Sequence, residues 1–412
     1  VVVIGGGIAG VCTAFTLAQR GVDVTLCEKG QIAGEQSSRN WGWVRKQGRD
    51  PREIPLIMES LRMWEGLNAT VGGETGFRTT GNIALSITEG DLTRRLAWLE
   101  HARAYQIDTR LLSGAEANRL MPGAAVKFAT ALYTPSDGQA EPQKAVPAIA
   151  RAAQSLGVTI LTQCAVRGLD VTGGRISGVV TERGHIGCDS VVLAGGAWSR
   201  LFCGSIGVEL PQLKLRSGAL RTERLDGGPE IAAIGERLAF RKRLDGGYTI
   251  ASFLMQGEII PDSFRLWRAF LPQLKKEGPN LKLRVSEQFM AEWRRPKRWS
   301  PDGVSPFEEV RTLDPKPLAA DAEAAKQRLA ELFPAFRNAK VAQHWGGMID
   351  VTPDAIPVIS SVAALPGFFI ATGFSGHGFG IGPGAGRLMA DLVMGATPIV
   401  DPAPFRFERF AA

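Results

Sequence analysis

A short β-branched run, Val1 to Ile4, leads directly into Gly5-Gly6-Gly7-Ile8-Ala9-Gly10, and then into apolar residues at helical spacing through Val11, Ala14, Phe15, Leu17 and Ala18. This strand, glycine turn and helix constrain the fold more than any other stretch. Gly5 permits the tight turn, Gly7 lets the backbone approach a pyrophosphate, and Gly10 lets helix and strand pack closely. Gly21 ends the helix, and Val22 to Cys27 alternates as a second parallel strand that delivers Glu28 at its tip. From there an acid accepts hydrogen bonds from a ribose and repels a 2′-phosphate, which disfavours NADP. The helix start aims N–H groups and a positive dipole end at phosphate. The frame predicts a dinucleotide-binding domain whose cofactor set includes Ile8, Ala9, Glu28 and Lys29.

At 412 residues the chain exceeds the size at which one core usually stops growing, so two lobes are expected. The five cysteines never fall in a CxxC, which excludes a disulfide framework, a zinc site and a dithiol redox pair; a reducing cytoplasm is the expected location. No metal-ligand cluster and no span-length apolar run is legible. The net charge of +7 is matched by a local excess between Phe264 and Trp299, within a Trp-containing and proline-punctuated segment from Asp262 to Pro317 where Trp267, Trp293 and Trp299 sit among the cations. This segment reads as an accessory helical excursion whose aromatic residues pack inward. Its charge keeps an electron acceptor, an anionic membrane surface and RNA in view as contacts; nothing points to DNA, and oligomeric state is not legible.

Further blocks carry a resemblance. Ser37-Ser38-Arg39-Asn40-Trp41-Gly42, the strand Ala165 to Val171, the segment DSVVLAGGAW at Asp189 to Trp198, and the blocks GGMIDVTPDAIPVIS (Gly346 to Ser360) and GFSGHGFGIGPGAG (Gly373 to Gly386) are similar to those of the D-amino acid oxidase, glycine oxidase and sarcosine oxidase group of FAD-dependent enzymes. The resemblance implies that Ser38, Arg39, Asn40, Trp41 and Gly42 run along the pyrophosphate and flavin, and that Arg45 neighbours the isoalloxazine. It places Val166 against adenine and brings Ala194, Gly195 and Trp198 to the cofactor. It sets Gly347, Gly376, His377, Gly378, Gly380 and Ile381 at the flavin. A glycine-rich turn at a helix start suits the charge that develops over flavin N1 and O2 on reduction, with Gly380, Ile381 and Gly382 as donors.

The fold class implied is α/β: a discontinuous Rossmann-type FAD-binding domain (1–80, 141–215, 340–412) and a mixed-sheet α+β substrate domain (81–140, 216–339) that contains the basic segment. The implied chemistry is hydride transfer from the carbon beside a neutral amine to flavin N5, then imine hydrolysis, with O2 or a quinone as acceptor. A carboxylate substrate needs a cationic clamp. The arginine expected before the TPD turn in glycine oxidases is Met348 or Ile349 here, so Arg241, with Arg243 on the same face of its strand and Tyr248 nearby, is the first candidate. The GMIDVTPD and GFSGHGF blocks resemble those of sarcosine oxidases, which implies an N-substituted glycine, sarcosine- or iminodiacetate-like, and two inward cations would suit the dicarboxylate iminodiacetate; a D-amino acid or glycine oxidase, and a tRNA-modifying oxidase, are the alternatives. His377 is expected beside the ring and His344 in the pocket. Gly347 stands where monomeric sarcosine oxidases attach flavin through cysteine, so FAD is expected to be noncovalent.

Overall fold

The computed structural model describes residues 1–88 and 92–410. The opening strand Val2–Ile4 lies inside a six-stranded sheet, flanked in parallel by Thr25–Cys27 and Val191–Leu193. Thr159–Leu161 and Phe368–Thr372 extend it in parallel on either side, and Val358–Ser361 closes one edge antiparallel. The helices Ile8–Gln19, Ile54–Val71, Pro142–Ser155 and Gly378–Val393 cover one face of this sheet. Burial on both faces explains why its strands read as short unbroken apolar runs rather than alternating ones.

The first and last long helices pack against each other through missing side chains. A Cβ on Gly382 would lie 2.2 Å from Ile8 Cγ1, and one on Gly386 would lie 2.5 Å from the Cys12 side chain. Pro383 cannot donate within this C-terminal helix, and the adjoining Gly384–Gly380 rung is bridged from outside: Gly380 O accepts from Ser60 Oγ and Trp64 Nε1, while Gly384 N donates to Ser60 Oγ. The glycine-rich sequence is therefore a packing device that holds the two cofactor-side helix starts side by side.

A ten-stranded sheet forms the second layer. Its long antiparallel pair, Leu213–Thr222 with Val341–Val351, ties it to the chain segments that build the six-stranded sheet. Leu238–Lys242 and Tyr248–Ser252 pair antiparallel in its middle, and the helix Ala319–Leu332 covers their outer face. The strand expected around Arg241 thus forms, and it ends at Lys242, before Arg243.

The basic segment departs from the expectation. It holds the helices Pro261–Arg265, Trp267–Glu277 and Gln288–Arg294, but also a strand, Leu281–Arg284, that adds in parallel to Met255–Glu258 at the sheet edge. Its aromatics do not all turn inward: Trp267 is 54% and Trp293 65% exposed. Trp299 does, packing edge-on to Phe307 at 5.3 Å and donating Nε1–H to Arg167 O at 2.8 Å. Among the described residues no helix is long and apolar enough to cross a membrane.

Candidate functional site

One continuous cavity of about 1340 Å³ runs from the opening glycine turn to the start of the C-terminal helix and out beneath the basic segment. Gly5 sits at φ +109° and a Cβ there would lie 2.4 Å from Ala194 O; a Cβ on Gly10 would lie 2.0 Å from Gly5 O. Any side chain at either position would displace the turn. Glu28 accepts from Gly6 N at 2.7 Å and Gly30 N at 2.6 Å, and burial pushes its carboxyl above the usual range despite those two donors. Ser37 Oγ accepts from Ile8 N at 2.8 Å, joining the second loop to the helix start.

A strap drawn from the distal half of the basic segment crosses this end. Lys29 Nζ donates to Val310 O (2.8 Å) and Arg311 O (2.9 Å) and pairs with Glu35 (2.8 Å), while Arg311 pairs with Glu182. Phe307, Arg311 and Thr312 line the cavity beside Val166 and Trp198. Every charge here has an opposite partner or several backbone donors.

At the other end the charges are not matched. Arg45 lies with its guanidinium 5.4 Å from the Trp43 ring centroid and donates to Gln47 O; among the described residues no carboxylate is within ion-pair distance of it. Burial, with Arg49 nearby, lowers it to about 10. Trp41 packs on Trp43 at 5.3 Å and on Phe253 at 5.6 Å, so the cation adjoins an aromatic wall. Gly376, His377, Gly378 and Gly380, where the helix begins, line the same end of the cavity, and Gly380 packs against the Trp43–Val44 backbone. The N–H groups of Gly378, Phe379 and Gly380, at the start of that helix, have no intrahelical acceptor and mark an anion-stabilising corner.

These arrangements belong with a known family. The FAD dependent oxidoreductase (DAO) family model matches residues 1–392. The chain belongs to that family. Among curated proteins, sarcosine oxidase subunit beta of Arthrobacter sp is 26% identical, covering 100% of this chain and 90% of its own. The glycine oxidase of Pseudomonas aeruginosa is 28% identical over 98% of this chain and 97% of its own. Among solved structures, L-amino acid deaminase from Proteus myxofaciens superposes with a TM-score of 0.96 at 36% identity, covering 99% of this chain and 93% of that one.

The cavity fits the family's cofactor by its own chemistry. The close approach enforced at Gly5 and Gly10, the half-buried acceptor Glu28 and the free helix N–H donors are what a pyrophosphate, a ribose and a flavin pyrimidine edge require. Bound there, FAD supplies the two-electron acceptor. Gly5, Gly7, Ile8, Ala9, Glu28 and Lys29 line the cavity as expected, as do Arg39, Asn40, Trp41, Ala194, Gly195 and Gly347. Gly10, Ser38, Gly42 and Ile381 do not: Gly10 and Gly42 are clearances behind the wall, Ser37 rather than Ser38 faces the turn, and Ile381 points into the core.

The clamp candidates need correction. Arg241 is 1% exposed, outside the cavity wall, and forms a bidentate pair with Glu141 at 2.9 and 2.9 Å while Nε donates to Trp41 O. Arg243 pairs with Asp245 at 3.1 Å. Tyr248 pairs in register with Lys242, not Arg241, so it lies on the opposite face, packed on Phe336 at 4.7 Å. His344 faces Glu323 at 3.1 Å, away from the cavity. Strand alternation sorted the faces of Arg241 and Lys242, but both faces of this sheet are covered, and alternation does not say which one meets the cofactor. His101 is exposed at the cavity rim, and His185 is exposed and paired with Asp170. Arg49 and Glu53 meet His377, and the strap meets Lys29, through contacts between distant parts of the chain, so none of them gave a sequence signal.

Proposed function

We propose that this protein oxidises the C–N bond of an α-amino acid with an apolar side chain, and that the imine is hydrolysed to a 2-oxo acid and ammonia. The observation that carries this reading is Arg45: a half-buried cation without a carboxylate partner among the described residues, set beside the aromatic wall Trp43, Trp41 and Phe253 in the cavity that His377 also lines. A substrate carboxylate would complete its charge, since the planar fork accepts both oxygens at once. The apolar side chain then lies along the rings, with Met255 and Ile234 further out. His377 flanks the reacting carbon and nitrogen, and the free N–H groups of Gly378 and Gly380 stabilise the charge gained by the oxidant.

The likeness to an L-amino acid deaminase at 36% identity supports this substrate class. An N-substituted glycine is the second reading, supported by the whole-chain similarity to sarcosine oxidase subunit beta. Its dicarboxylate form loses support, because Arg241 and Arg243 already have acidic partners. Products separate the two: a 2-oxo acid and ammonia from leucine or phenylalanine, captured as a hydrazone, support the first. Formaldehyde from sarcosine with no 2-oxo acid from either amino acid would replace it with the second.

Peripheral contact with an anionic membrane, where a quinone could serve as acceptor in place of O2, is the partner reading we attach to the basic segment. Phe264, Trp267, Leu283, Val285 and Trp293 are more than half exposed among its cations, a pattern suited to a headgroup boundary rather than to RNA.

A further inference from the structure

We propose that Glu53 is the positioning residue that makes His377 the acceptor of the proton a substrate ammonium sheds before oxidation; the inference rests on the amino acid reading above. Glu53 ends the turn Pro51–Glu53 and directly precedes the helix Ile54–Val71. Its side chain is 0% exposed, and neither carboxylate oxygen has a hydrogen-bond partner among the described residues. A carboxylate with a structural role at this position would accept from the first helical N–H groups, and this one does not. An unmatched buried polar group costs about 1–3 kcal/mol, more when charged, and native proteins keep few of them without a use.

The nearest groups are the two that surround it at the flavin corner. Oε2 lies 3.6 Å from His377 Nδ1, and Oε1 lies 3.9 Å from an Arg49 terminal nitrogen. All of these atoms are buried and lack a hydrogen-bond partner among the described residues, so four polar atoms held only by longer ion-pair contacts meet at one spot on the cavity wall. Arg49 is committed elsewhere through Nε to Arg45 O (3.2 Å) and its other terminal nitrogen to His377 O (3.1 Å), which pins the histidine backbone. Such gaps close by a few tenths of an ångström when a substrate is seated.

The geometry selects the tautomer. With a carboxylate facing Nδ1, that nitrogen carries the hydrogen. Nδ1 is buried although a third of the side chain is exposed, so the open edge of the ring is the one bearing Nε2. There the substrate N–H bond breaks, its electron pair stays on the nitrogen, and an Nε2–H bond forms; no electrons are exchanged. The positive charge passes from the ammonium to the imidazolium, where the Glu53 carboxylate offsets it. The freed nitrogen lone pair is what drives departure of the Cα hydride.

Burial holds His377 below its ordinary range, Glu53 pulls it back up, and Arg49 and Arg45 push it down. Arg95 and His101 from the helix Leu92–Ala104, and Asp354 from the turn after Val351, line the same cavity.

The chain has four histidines, so imidazole nitrogen NMR on the FAD-loaded protein reads the ring directly, with His377→Gln assigning its signals. The expected result in the unmutated protein is a neutral ring protonated at Nδ1, and in Glu53→Gln a His377 pKa lower by about one unit. A ring protonated at Nε2, or a titration insensitive to Glu53→Gln, would overturn the proposal. In anaerobic flavin reduction, Glu53→Gln should be slower by about 10²-fold at neutral pH, with the deficit closing once the pH exceeds the substrate's own ammonium pKa and Glu53→Asp falling between. A deficit equal at all pH values would mean a purely structural role. If Glu53→Gln does not fold, the tautomer in the unmutated protein still decides. Failure of every amino acid to reduce the flavin would remove the substrate reading while leaving the tautomer result intact.

Discussion

The two ends of the cavity are built on opposite electrostatic terms. At the adenosine end Lys29, Glu35, Arg311 and Glu182 are paired, and Glu28 takes two backbone N–H groups. At the flavin end Arg45 lacks an acidic partner among the described residues, and Glu53 and His377 face each other across an unclosed gap. An end that only binds is complete before its ligand arrives, whereas an end that does chemistry holds charges in reserve for groups the substrate brings. Preorganised but unsatisfied charge costs stability and is recovered in the transition state.

The sharpest way to break the contrast is to destroy the binding end alone. Gly10→Val, whose Cβ cannot share space with Gly5 O, should abolish FAD content, read as flavin absorbance per mole of protein. Retained flavin would show that the turn does not form the pyrophosphate site.

The next test compares a matched cation with an unmatched one. Arg241→Met breaks the buried pair with Glu141 and should cost about 3–5 kcal/mol in chemical denaturation while substrate affinity in the folded protein stays close to normal. Unchanged stability with weakened substrate binding would return the clamp to Arg241. Arg45→Met should do the reverse: FAD content and stability near normal, and substrate half-saturation for flavin reduction raised by about 10²-fold, equivalent to roughly 2–3 kcal/mol for a desolvated charge pair.

The same contrast explains what could be read from residues alone. The glycine turns at Gly5 to Gly10 and Gly376 to Gly382, the acid Glu28 and the strand before Gly195 are local patterns, each set by its own spacing, and the structure brings them to one cavity. The strap at 307–314 and the Glu53–His377 pair are long-range encounters with no spacing to betray them. Arg241 shows a further limit: its identity and face were legible, but Glu141, 100 positions away, takes its charge. The basic segment's added strand was hidden for a similar reason, since edge pairing with Met255–Glu258 is decided by the partner strand.

The account depends on a flavin and an amino acid meeting in this cavity. Anaerobic mixing of the FAD-loaded protein with a panel of L- and D-amino acids, glycine, sarcosine and iminodiacetate, followed by flavin absorbance, tests that directly. Bleaching by apolar α-amino acids, with iminodiacetate inert, is the predicted result; a flavin that stays oxidised with every member of the panel would contradict the account.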